Sequence, residues 1–303
     1  MNVIVHGGAG SDPDEPAPRQ AVLDEAAATG AGEASVVDAV EAAVHVLESS
    51  PRFNAGVGGA VQSDGVVRTD AGLMTSDREA GAVCSMPGVE HAVSAARVVM
   101  EETPHVLVSG RHAVDLAADF GVEADVDLWT DDQRERWADL DAPDGSPREH
   151  LDWLADRFGG APDDVDEERT ADPGDHDTVG AVAFDGDAFA AATSTGGRWL
   201  ALAGRVGDVP QIGSGFYAAP AGAASATGAG EDIAKTTLTR RAVRHLESGL
   251  DAQAAADRAM AEFAELTGSS AGVIVLDRDG GAGSAFNSDA MQTAVDASVA
   301  DAE

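Results

Sequence analysis

Arg205 and Asp208 lie three residues apart in the segment Gly204-Arg205-Val206-Gly207-Asp208, and their side chains suit a small zwitterionic ligand. A guanidinium group can hold a carboxylate through two parallel hydrogen bonds, while a nearby carboxylate receives an ammonium group. The plainer alternative is a surface salt bridge, which contributes about 0–1 kcal/mol to stability. If the pair binds a ligand, removal of either side chain weakens substrate binding most.

Three other patterns match parts of known motifs but lack the context that those motifs require. Residues 268–272 spell Gly-Ser-Ser-Ala-Gly, yet they join a helix to a strand, whereas a nucleophile elbow joins a strand to a helix. Residues 6–10 resemble an oxyanion-hole loop and residues 228–230 resemble half of a dinucleotide fingerprint, and each alone is interpreted as a tight turn. The 8 histidines form no H-E-x-x-H motif and have no cysteine partner, which argues against a zinc site.

The charge of the chain narrows the range of its partners. Its 303 residues include 19 Lys and Arg against 54 Asp and Glu, a net charge of −35. Phosphate backbones and anionic membrane surfaces would repel such a chain. We therefore expect a small-molecule substrate, and neither a nucleic acid nor a membrane as partner.

Residue usage also indicates the environment of the protein. The single cysteine, Cys84, cannot close an intrachain disulfide, the N-terminus lacks the basic region of a signal peptide, and no run approaches ~18 apolar residues. These observations predict a cytoplasmic location. Lys235 is the only lysine among many acidic residues, which indicates a halophile whose concentrated salt screens the self-repulsion of the chain. The alternative is an acidic protein of an ordinary cell.

Hydrophobic periodicity and turn residues predict an α/β protein in which strands and helices are grouped rather than strictly alternating. The predicted strands are Val3–Val5, which leads into a glycine turn, a hairpin of residues 179–184 and 188–193, and residues 273–276. One predicted helix follows the Ser35 cap, and four others cover residues 89–102, 109–120, 231–246 and 251–266. This grouping favours antiparallel sheet covered by helices, within a single domain of residues 1–303.

The most informative feature is the junction at Thr178. Residues 156–177 are rich in Asp, Glu, Pro and Gly with almost no apolar residues, which predicts a mobile acidic segment. This segment runs through His176-Asp177-Thr178 straight into the buried strand that begins at Val179. Such a junction is unusual for a simple linker.

Several further segments accompany this junction along the chain. They are His6–Gly10, Phe53–Gly56, Thr103–Val106, Ala192–Gly197, Gly204–Pro210, Ala226–Glu231 and Phe286–Ser288. Together they resemble the plant-type L-asparaginase and isoaspartyl peptidase family of N-terminal nucleophile hydrolases over nearly the whole chain. The resemblance implies a four-layer αββα sandwich and synthesis as an inactive precursor. It also implies self-cleavage between Asp177 and Thr178, which gives an α subunit of residues 1–177 and a β subunit of residues 178–303.

The resemblance makes Thr178 the catalytic nucleophile. Cleavage would free its α-amine, whose reference pKa of ~7.7–8 suits a base that takes the proton of the hydroxyl. The hydroxyl would then attack the side-chain amide of the substrate, and water would hydrolyse the resulting acyl-enzyme. The alternative is that Thr178 is an ordinary β-branched strand residue.

The resemblance also assigns supporting roles around this nucleophile. A hydrogen bond from Thr195 would hold the Thr178 hydroxyl in place. The alternative is that Thr195 is a strand residue whose hydroxyl bonds to a neighbouring main-chain group. Asn54, Thr227 and Gly228 would stabilise the oxyanion, where one donor contributes ~10²–10³ to turnover, or else Asn54 is a turn residue. Arg205 and Asp208 would bind the α-carboxylate and α-ammonium groups of an aspartyl unit.

Asp177 departs from the family pattern, because most asparaginases of this family carry Gly before the threonine. In this respect residues 176–178 are similar to the glycosylasparaginase branch. Residues 195–197, 227–231 and 103–106 are more similar to the asparaginase branch, and we give them greater weight. A further hypothesis is that the Asp177 carboxylate serves self-cleavage by taking the proton from Thr178 Oγ1.

These observations predict hydrolysis of L-asparagine, with β-aspartyl dipeptides as a second substrate. The alternatives are glycosylasparagine hydrolysis and, from another class, a non-catalytic amino-acid-binding protein that never matures. The resemblance implies no organic cofactor and a homodimer of αβ units. The segment Leu47–Arg52 corresponds to a loop that binds a structural sodium through carbonyl oxygens in relatives.

Overall fold

The computed structural model describes residues 1–158 and 178–297, which form a mixed α/β structure. Its strands are β1 (Asn2–Gly10), β2 (Arg68–Thr75), β3 (Ala80–Pro87), β4 (Leu107–Ser109), β5 (Val179–Phe184), β6 (Phe189–Thr195), β7 (Phe216–Ala219), β8 (Gly222–Gly228), β9 (Ala271–Asp277), β10 (Ala282–Phe286) and β11 (Ala290–Ala297). Its helices are α1 (Pro16–Ala31), α2 (Val36–Glu48), α3 (Ala92–Glu102), α4 (Gly110–Asp119), α5 (Asp131–Ala138), α6 (Pro147–Phe158), α7 (Gly230–Thr236), α8 (Leu238–Glu247) and α9 (Ala252–Thr267).

The strands form two sheets. The first has seven strands in the order β11-β1-β5-β6-β2-β3-β4, and the second has four in the order β10-β9-β8-β7. Among the described strands, only the β3–β4 pair is parallel, which confirms the expectation of antiparallel sheet. The predicted hairpin is β5–β6, in which Val179 lies opposite Ser194. This register brings Thr178, which precedes β5, beside Thr195 at the end of β6.

Apolar side chains of the two sheets and their helices form three large buried clusters. Helices α1–α4 pack on the seven-stranded sheet around Leu23 and Val93, and α8 and α9 pack on the four-stranded sheet around Leu238 and Phe263. The third cluster, around Phe216, joins strands of both sheets. Burial of these side chains removes apolar surface from water, which is the main stabilising contribution to folding. None of the helices in the described ranges combines the length and apolar character that a membrane crossing requires.

Strand β1 is longer than predicted. It continues beyond Val5 to Gly10 instead of turning at the glycines, and its pairing with β11 shifts register between His6 and Ala9. Gly7 has no room for a side chain, because a Cβ there would lie against the ring of Phe53. The glycines therefore serve close packing within a bulged strand, and the predicted tight turn at residues 6–10 is wrong.

The predicted helix of residues 231–246 is divided in two. Thr237 adopts the left-handed conformation, with φ of 54°, and separates α7 from α8. The hydroxyls of Thr236 and Thr237 donate to the carbonyl oxygens of Asp232 and Thr236, each at 2.7 Å. Such side-chain bonds compete with the regular backbone pattern and explain the break. The predicted helix of residues 89–102 begins later, at Ala92.

Other local predictions are confirmed. Ser35 caps α2, because its Oγ accepts a hydrogen bond from Asp38 N over 3.1 Å. Gly268 ends α9 in the left-handed conformation, so residues 268–272 do join a helix to a strand.

The predicted mobile segment of residues 156–177 is described only at its start. Residues 156–158 are the end of helix α6, and residues 159–177 lie outside the described residues.

Candidate active site

Thr178 is buried at the start of the central hairpin, with 7% of its surface exposed. Its hydroxyl donates a hydrogen bond to Thr195 Oγ1 over 3.2 Å. Thr195 Oγ1 also accepts a bond from Gly197 N at 3.1 Å and donates to the carbonyl oxygen of Asn54 at 3.4 Å. These bonds bring three of the predicted site residues together and orient the Thr178 hydroxyl.

Asn54 lies in the loop that follows α2 and is 5% exposed. Its side-chain Nδ2 donates to Gly197 O at 2.5 Å, and its Oδ1 accepts from Ala60 N at 2.8 Å. Its carbonyl oxygen accepts from Gly196 N at 2.8 Å. A carboxamide nitrogen carries two hydrogens, so one N–H of Asn54 remains for a ligand.

Arg205 forms a bidentate ion pair with Glu231, a partner that the sequence analysis missed. Its Nε donates to Glu231 Oε1 at 2.8 Å and its Nη2 donates to Oε2 at 2.7 Å. Burial would raise the pKa of Glu231, but the hydrogen bonds and charge of Arg205 outweigh burial and lower the pKa to about 2. A guanidinium has five N–H donors, so the edge formed by Nη1 and Nη2 still has donors for a substrate carboxylate.

Asp208 is a buried carboxylate whose Oδ2 has no hydrogen-bond partner among the described residues. Burial raises its pKa to about 7, although the charge of Arg205 acts in the opposite direction. A Cβ on Gly230 would lie 2.8 Å from Arg205 Nη2 and 2.9 Å from Asp208 Oδ1. The guanidinium of Arg205 and the carboxylate of Asp208 therefore both lie next to Gly230. This arrangement suits a ligand that carries both a carboxylate and an ammonium group.

Thr227 and Gly228 end β8, and Thr227 is fully buried. Gly228 has φ of 128°, and a Cβ on it would lie 2.5 Å from Ala271 Cα, so this position requires glycine. Residues 228–230 form the turn from β8 to α7 and lead directly to Gly230, which contacts the Arg205 and Asp208 groups. The predicted turn of residues 228–230 is thus the part that follows the four-stranded sheet and contacts Arg205 and Asp208.

Asp70 is a further charged residue that the sequence analysis missed. It lies on β2 opposite Thr195, is 2% exposed, and accepts a hydrogen bond from Ser85 N at 2.6 Å. Burial raises its pKa to about 7, opposed by the Ser85 N–H and by the charge of Arg205. Asp70 therefore links the threonine pair to the charged pair electrostatically. A lone carboxylate in the otherwise apolar stretch after Thr69 was the signal that could have revealed it.

A buried histidine, His6, lies near Thr178. His6 is fully buried, and its Nε2 is 2.9 Å from Ser225 Oγ, which is 2.7 Å from Thr193 Oγ1. Burial lowers the pKa of His6 to about 3, although a hydrogen bond to the Thr178 backbone opposes this. A Cβ on Gly180 would collide with His6 Nε2 and Ser225 Oγ. This polar contact joins the two sheets beside the paired residues Gly180 and Thr193, which lie two positions from Thr178 and Thr195.

The loop predicted to bind sodium is closed by a backbone hydrogen bond to one of its carbonyl oxygens. Val57 N donates to Glu48 O at 2.9 Å. A Cβ on Gly58 would lie 3.0 Å from Phe53 O and 3.2 Å from Pro51 O, so these two carbonyl oxygens lie close to Gly58. Carbonyl oxygens are the kind of ligand that a hard cation prefers.

A cavity of about 340 Å³ has Asn54 among its lining residues. Arg19, Arg52, Arg136 and Trp199 also line it. Arg52 pairs with an acidic side chain at the rim, and the Arg136 guanidinium stacks 4.0 Å from the ring centre of Trp199. The cavity can thus admit a polar group larger than ammonia.

Asp177, the predicted residue before the scissile bond, lies outside the described residues. The other predicted site residues fall into two groups: Thr178, Thr195 and Asn54 are linked by hydrogen bonds, and Gly228 leads through Gly230 to Arg205 and Asp208. A buried threonine hydroxyl, an amide N–H and a pair of opposite charges are groups that the hydrolysis of a small polar amide can use.

Comparison with known proteins identifies the family. A family model for asparaginases matches residues 1–302, so the chain belongs to the asparaginase family. The chain is 40% identical over 301 residues to the plant-type L-asparaginase of Pyrococcus furiosus, covering 96% of this chain and 95% of that protein. It is 38% identical over 296 residues to the isoaspartyl peptidase/L-asparaginase of Danio rerio, covering 94% and 89%. The family resemblance carried by the sequence motifs is therefore confirmed.

Proposed function

We propose that this protein is an amidohydrolase that converts L-asparagine to L-aspartate and ammonia and also cleaves β-aspartyl dipeptides. The observation that carries the proposal is the hydroxyl pair of Thr178 and Thr195, 3.2 Å apart, with Thr195 also bonded to the backbone carbonyl oxygen of Asn54. The names of its relatives, plant-type L-asparaginase and isoaspartyl peptidase/L-asparaginase, support both substrates.

Maturation precedes activity in this proposal. The Asp177 carboxylate takes the proton from Thr178 Oγ1, which attacks the carbonyl carbon of Asp177, and the peptide nitrogen leaves with that proton. Water hydrolyses the resulting ester, which separates an α subunit of residues 1–177 from a β subunit of residues 178–303. The chain forms one domain with a four-layer αββα sandwich. The three buried clusters, one between the sheets and one under the helices of each sheet, support this architecture.

Chemistry begins at the freed α-amine of Thr178, which takes the proton of its own hydroxyl. Thr195 Oγ1 holds Thr178 Oγ1 in place for attack on the substrate amide carbon. The remaining N–H of Asn54, together with Thr227 and Gly228, stabilises the negative oxygen of the tetrahedral intermediate. The amine returns the proton to the leaving group, and water then hydrolyses the acyl-enzyme to release aspartate.

Recognition of the aspartyl unit uses the charged pair. The free edge of Arg205 binds the α-carboxylate, while the pairing with Glu231 holds the guanidinium in one orientation. The unpartnered Oδ2 of Asp208 receives the α-ammonium group. Because Asp208 and Arg205 border the same point next to Gly230, one small amino acid satisfies both.

The cavity beside Asn54 supports substrates with a leaving group larger than ammonia. It accommodates the amino-acid leaving group of a β-aspartyl dipeptide, and it is also the observation that favours glycosylasparagine hydrolysis as the second candidate. Values of kcat/KM for asparagine, a β-aspartyl dipeptide and a glycosylasparagine distinguish the candidates. We expect the first two to exceed the third, and the reverse order would favour the glycosylasparaginase assignment.

The assembly and location belong to the same proposal. We expect a homodimer of αβ units, which size-exclusion chromatography with light scattering tests through the mass in solution. A monomer would contradict it. The cytoplasmic location stays a prediction that rests on the residue usage, including the single cysteine.

The first experiment is intact-mass analysis and N-terminal sequencing after incubation in molar KCl. The wild type is expected to give two fragments, the smaller beginning Thr-Val-Gly-Ala-Val, whereas Thr178→Ala stays intact and inactive. The control variant Thr178→Ser keeps the hydroxyl and is expected to cleave. An intact, inactive wild type would instead favour the non-catalytic amino-acid-binding protein.

A further inference from the structure

A group of potential metal ligands lies where α2 ends, outside the site described above. His45 and Glu48 are three residues apart on the last turn of α2, so they share one face of the helix, and His91 immediately precedes α3. One donor atom of each residue lies within 4.8 Å of the donor atoms of the other two. The chain therefore brings two imidazoles and one carboxylate together from separate segments.

The carboxylate of Glu48 is only partly satisfied by the protein. Glu48 is 0% exposed, and its Oε1 accepts hydrogen bonds from Ser194 Oγ at 2.6 Å and from Val93 N at 3.1 Å. Its Oε2 has no hydrogen-bond partner among the described residues. Its ion-pair partner is the His91 imidazole, 3.5 Å away, and a metal ion between the two would replace this long contact by direct bonds to both atoms.

The separation between Glu48 and His91 fits a shared ion. His91 Nδ1 is 3.5 Å from Glu48 Oε2 and likewise has no hydrogen-bond partner among the described residues. This separation is too long for a normal N–H···O bond. Two ligands that bind a tetrahedral ion at ~2.0–2.2 Å lie about 3.3–3.6 Å from each other, so an ion can occupy the position between these atoms.

The His45 imidazole is held by a hydrogen bond from outside the cluster, as metal-binding histidines commonly are. Ser94 Oγ lies 2.6 Å from His45 Nε2 and donates to Glu41 Oε1 at 2.6 Å. The nearest carboxylate oxygen to His91 Nε2 in an ion pair is Glu90 Oε1, at 3.8 Å, which is beyond hydrogen-bond distance. Both imidazoles are about one-third exposed, which provides a path for an ion and room for a water ligand.

We propose that His45, Glu48 and His91 bind a divalent transition metal of the Zn²⁺ class, with water completing a tetrahedral shell. Two nitrogen donors and one carboxylate suit this class, whereas Na⁺, Mg²⁺ and Ca²⁺ prefer oxygen ligands throughout. The site is therefore different in kind from the carbonyl loop at Pro51 and Phe53. It ties α2 to α3 and, through Ser194, to the strand that carries Thr195.

Calorimetric titration of the full-length, tag-free chain with Zn²⁺ tests the proposal. Excess Mg²⁺ is present throughout to occupy the acidic surface, and sodium is held constant. We expect one Zn²⁺ per chain, a Zn²⁺-dependent rise in Tm, and at least ~100-fold weaker binding in His45→Ala and in His91→Ala. Both variants retain Glu48 with its Ser194 and Val93 bonds, and His91 makes no side-chain cap to α3, so both are expected to fold.

The matched control is His112→Ala, which removes an exposed histidine outside the cluster and is expected to bind Zn²⁺ like the wild type. Replacement of Zn²⁺ by Co²⁺ gives a second readout, because a tetrahedral site with nitrogen ligands produces intense visible absorption. Equal Zn²⁺ binding by all variants, no binding by the wild type, or only the weak octahedral Co²⁺ spectrum would each overturn the proposal. None of these measurements depends on amidase activity, so the metal site and the proposed function stand or fall separately.

Discussion

The hydroxyl of Thr195 contacts the Thr178 hydroxyl, the Gly197 N–H and the Asn54 carbonyl at one oxygen atom. Its role in the proposed mechanism is to position the Thr178 hydroxyl. Loss of this oxygen therefore affects the chemical step more than it affects the binding of asparagine, which relies on a different pair of side chains.

We expect Thr195→Val, which keeps the shape but removes the hydroxyl, to lower kcat by roughly 10²-fold with little change in KM. Steady-state kinetics on fully cleaved protein, verified by intact mass, provide the measurement. Thr195→Ser restores the oxygen and should recover most of kcat. Equal activity of the Val and Ser variants would mean that Thr195 is a structural strand residue.

Asp208 is a residue at which function and stability oppose each other. Its folded-state pKa is raised by burial to about 7 from the ordinary 3.8. Between these pH values the folded chain retains a proton that the unfolded chain has lost, so this group's contribution to stability falls as pH rises through that window. Above pH 7 Asp208 is a buried, charged carboxylate in the folded protein, and its Oδ2 is available to accept a hydrogen bond from an ammonium group.

We therefore expect Asp208→Asn to raise Tm by roughly 2–4 °C at pH 8, and the gain to vanish near pH 4. The same variant should raise KM for asparagine strongly, because the ammonium acceptor is lost. In the wild type, KM is expected to rise as pH falls below about 7. Thermal scans from pH 4 to 8 against the exposed Asp187→Asn control provide the check, and a pH-independent gain would refute the argument.

The β5–β6 hairpin is the element that positions Thr178, the proposed nucleophile, and it leaves no space for a side chain at Gly180. This residue lies two positions after Thr178, where a Cβ would collide with Ser225 Oγ and His6 Nε2. Overpacking of this kind costs about 1–3 kcal/mol. The collision also pushes the first sheet away from the second at the point where both contribute to the site.

We expect Gly180→Ala to lower the free energy of unfolding by about 1–3 kcal/mol and to reduce kcat as well. Denaturant unfolding and activity assays measure the two effects. Gly186→Ala is a useful comparison, because Gly186 is in the same hairpin with open space around it but has φ of 102°, so only backbone strain acts there. If Gly180→Ala matched wild-type stability, the tight packing against His6 would be disproved.

The whole molecule has a net charge of −35, and this charge dominates its response to salt. Like charges on the surface destabilise the compact state in dilute buffer, and molar salt shortens the Debye length to ~3 Å and removes most of this repulsion. The local ion pairs, such as Arg97 with Asp38 and Glu41, offset only part of it.

We expect Tm to rise steeply between 0.1 and 1 M KCl and to level off above about 1 M, where screening is nearly complete. Calorimetric or fluorescence scans in KCl are compared with scans in sucrose of equal osmolality. A similar rise in sucrose, or a Tm independent of KCl, would contradict an electrostatic origin and the predicted adaptation to salt.

The sequence by itself determined the family, the hairpin of residues 179–184 and 188–193, the antiparallel character of the sheet, and the helices α2, α3, α4 and α9. It did not predict α1, α5 and α6. The predicted features depend on local patterns, namely turn residues, caps, periodicity and short motifs in a fixed order, all of which are visible along the chain. Where local patterns conflicted with packing, the predictions were wrong: the glycines after Val5 continue a strand, and Thr237 breaks a predicted helix.

Only the tertiary structure decided which side chains meet. Glu231 takes two donors of Arg205, Asp70 lies opposite Thr195, and Glu48 meets His91, and each pair joins residues far apart in sequence. The sequence argued against zinc because its histidines match no local motif, but the ligands of the proposed site come from the end of α2 and the start of α3. Burial leaves Glu48 Oε2 without a hydrogen-bond partner among the described residues, and burial is a property of the folded chain.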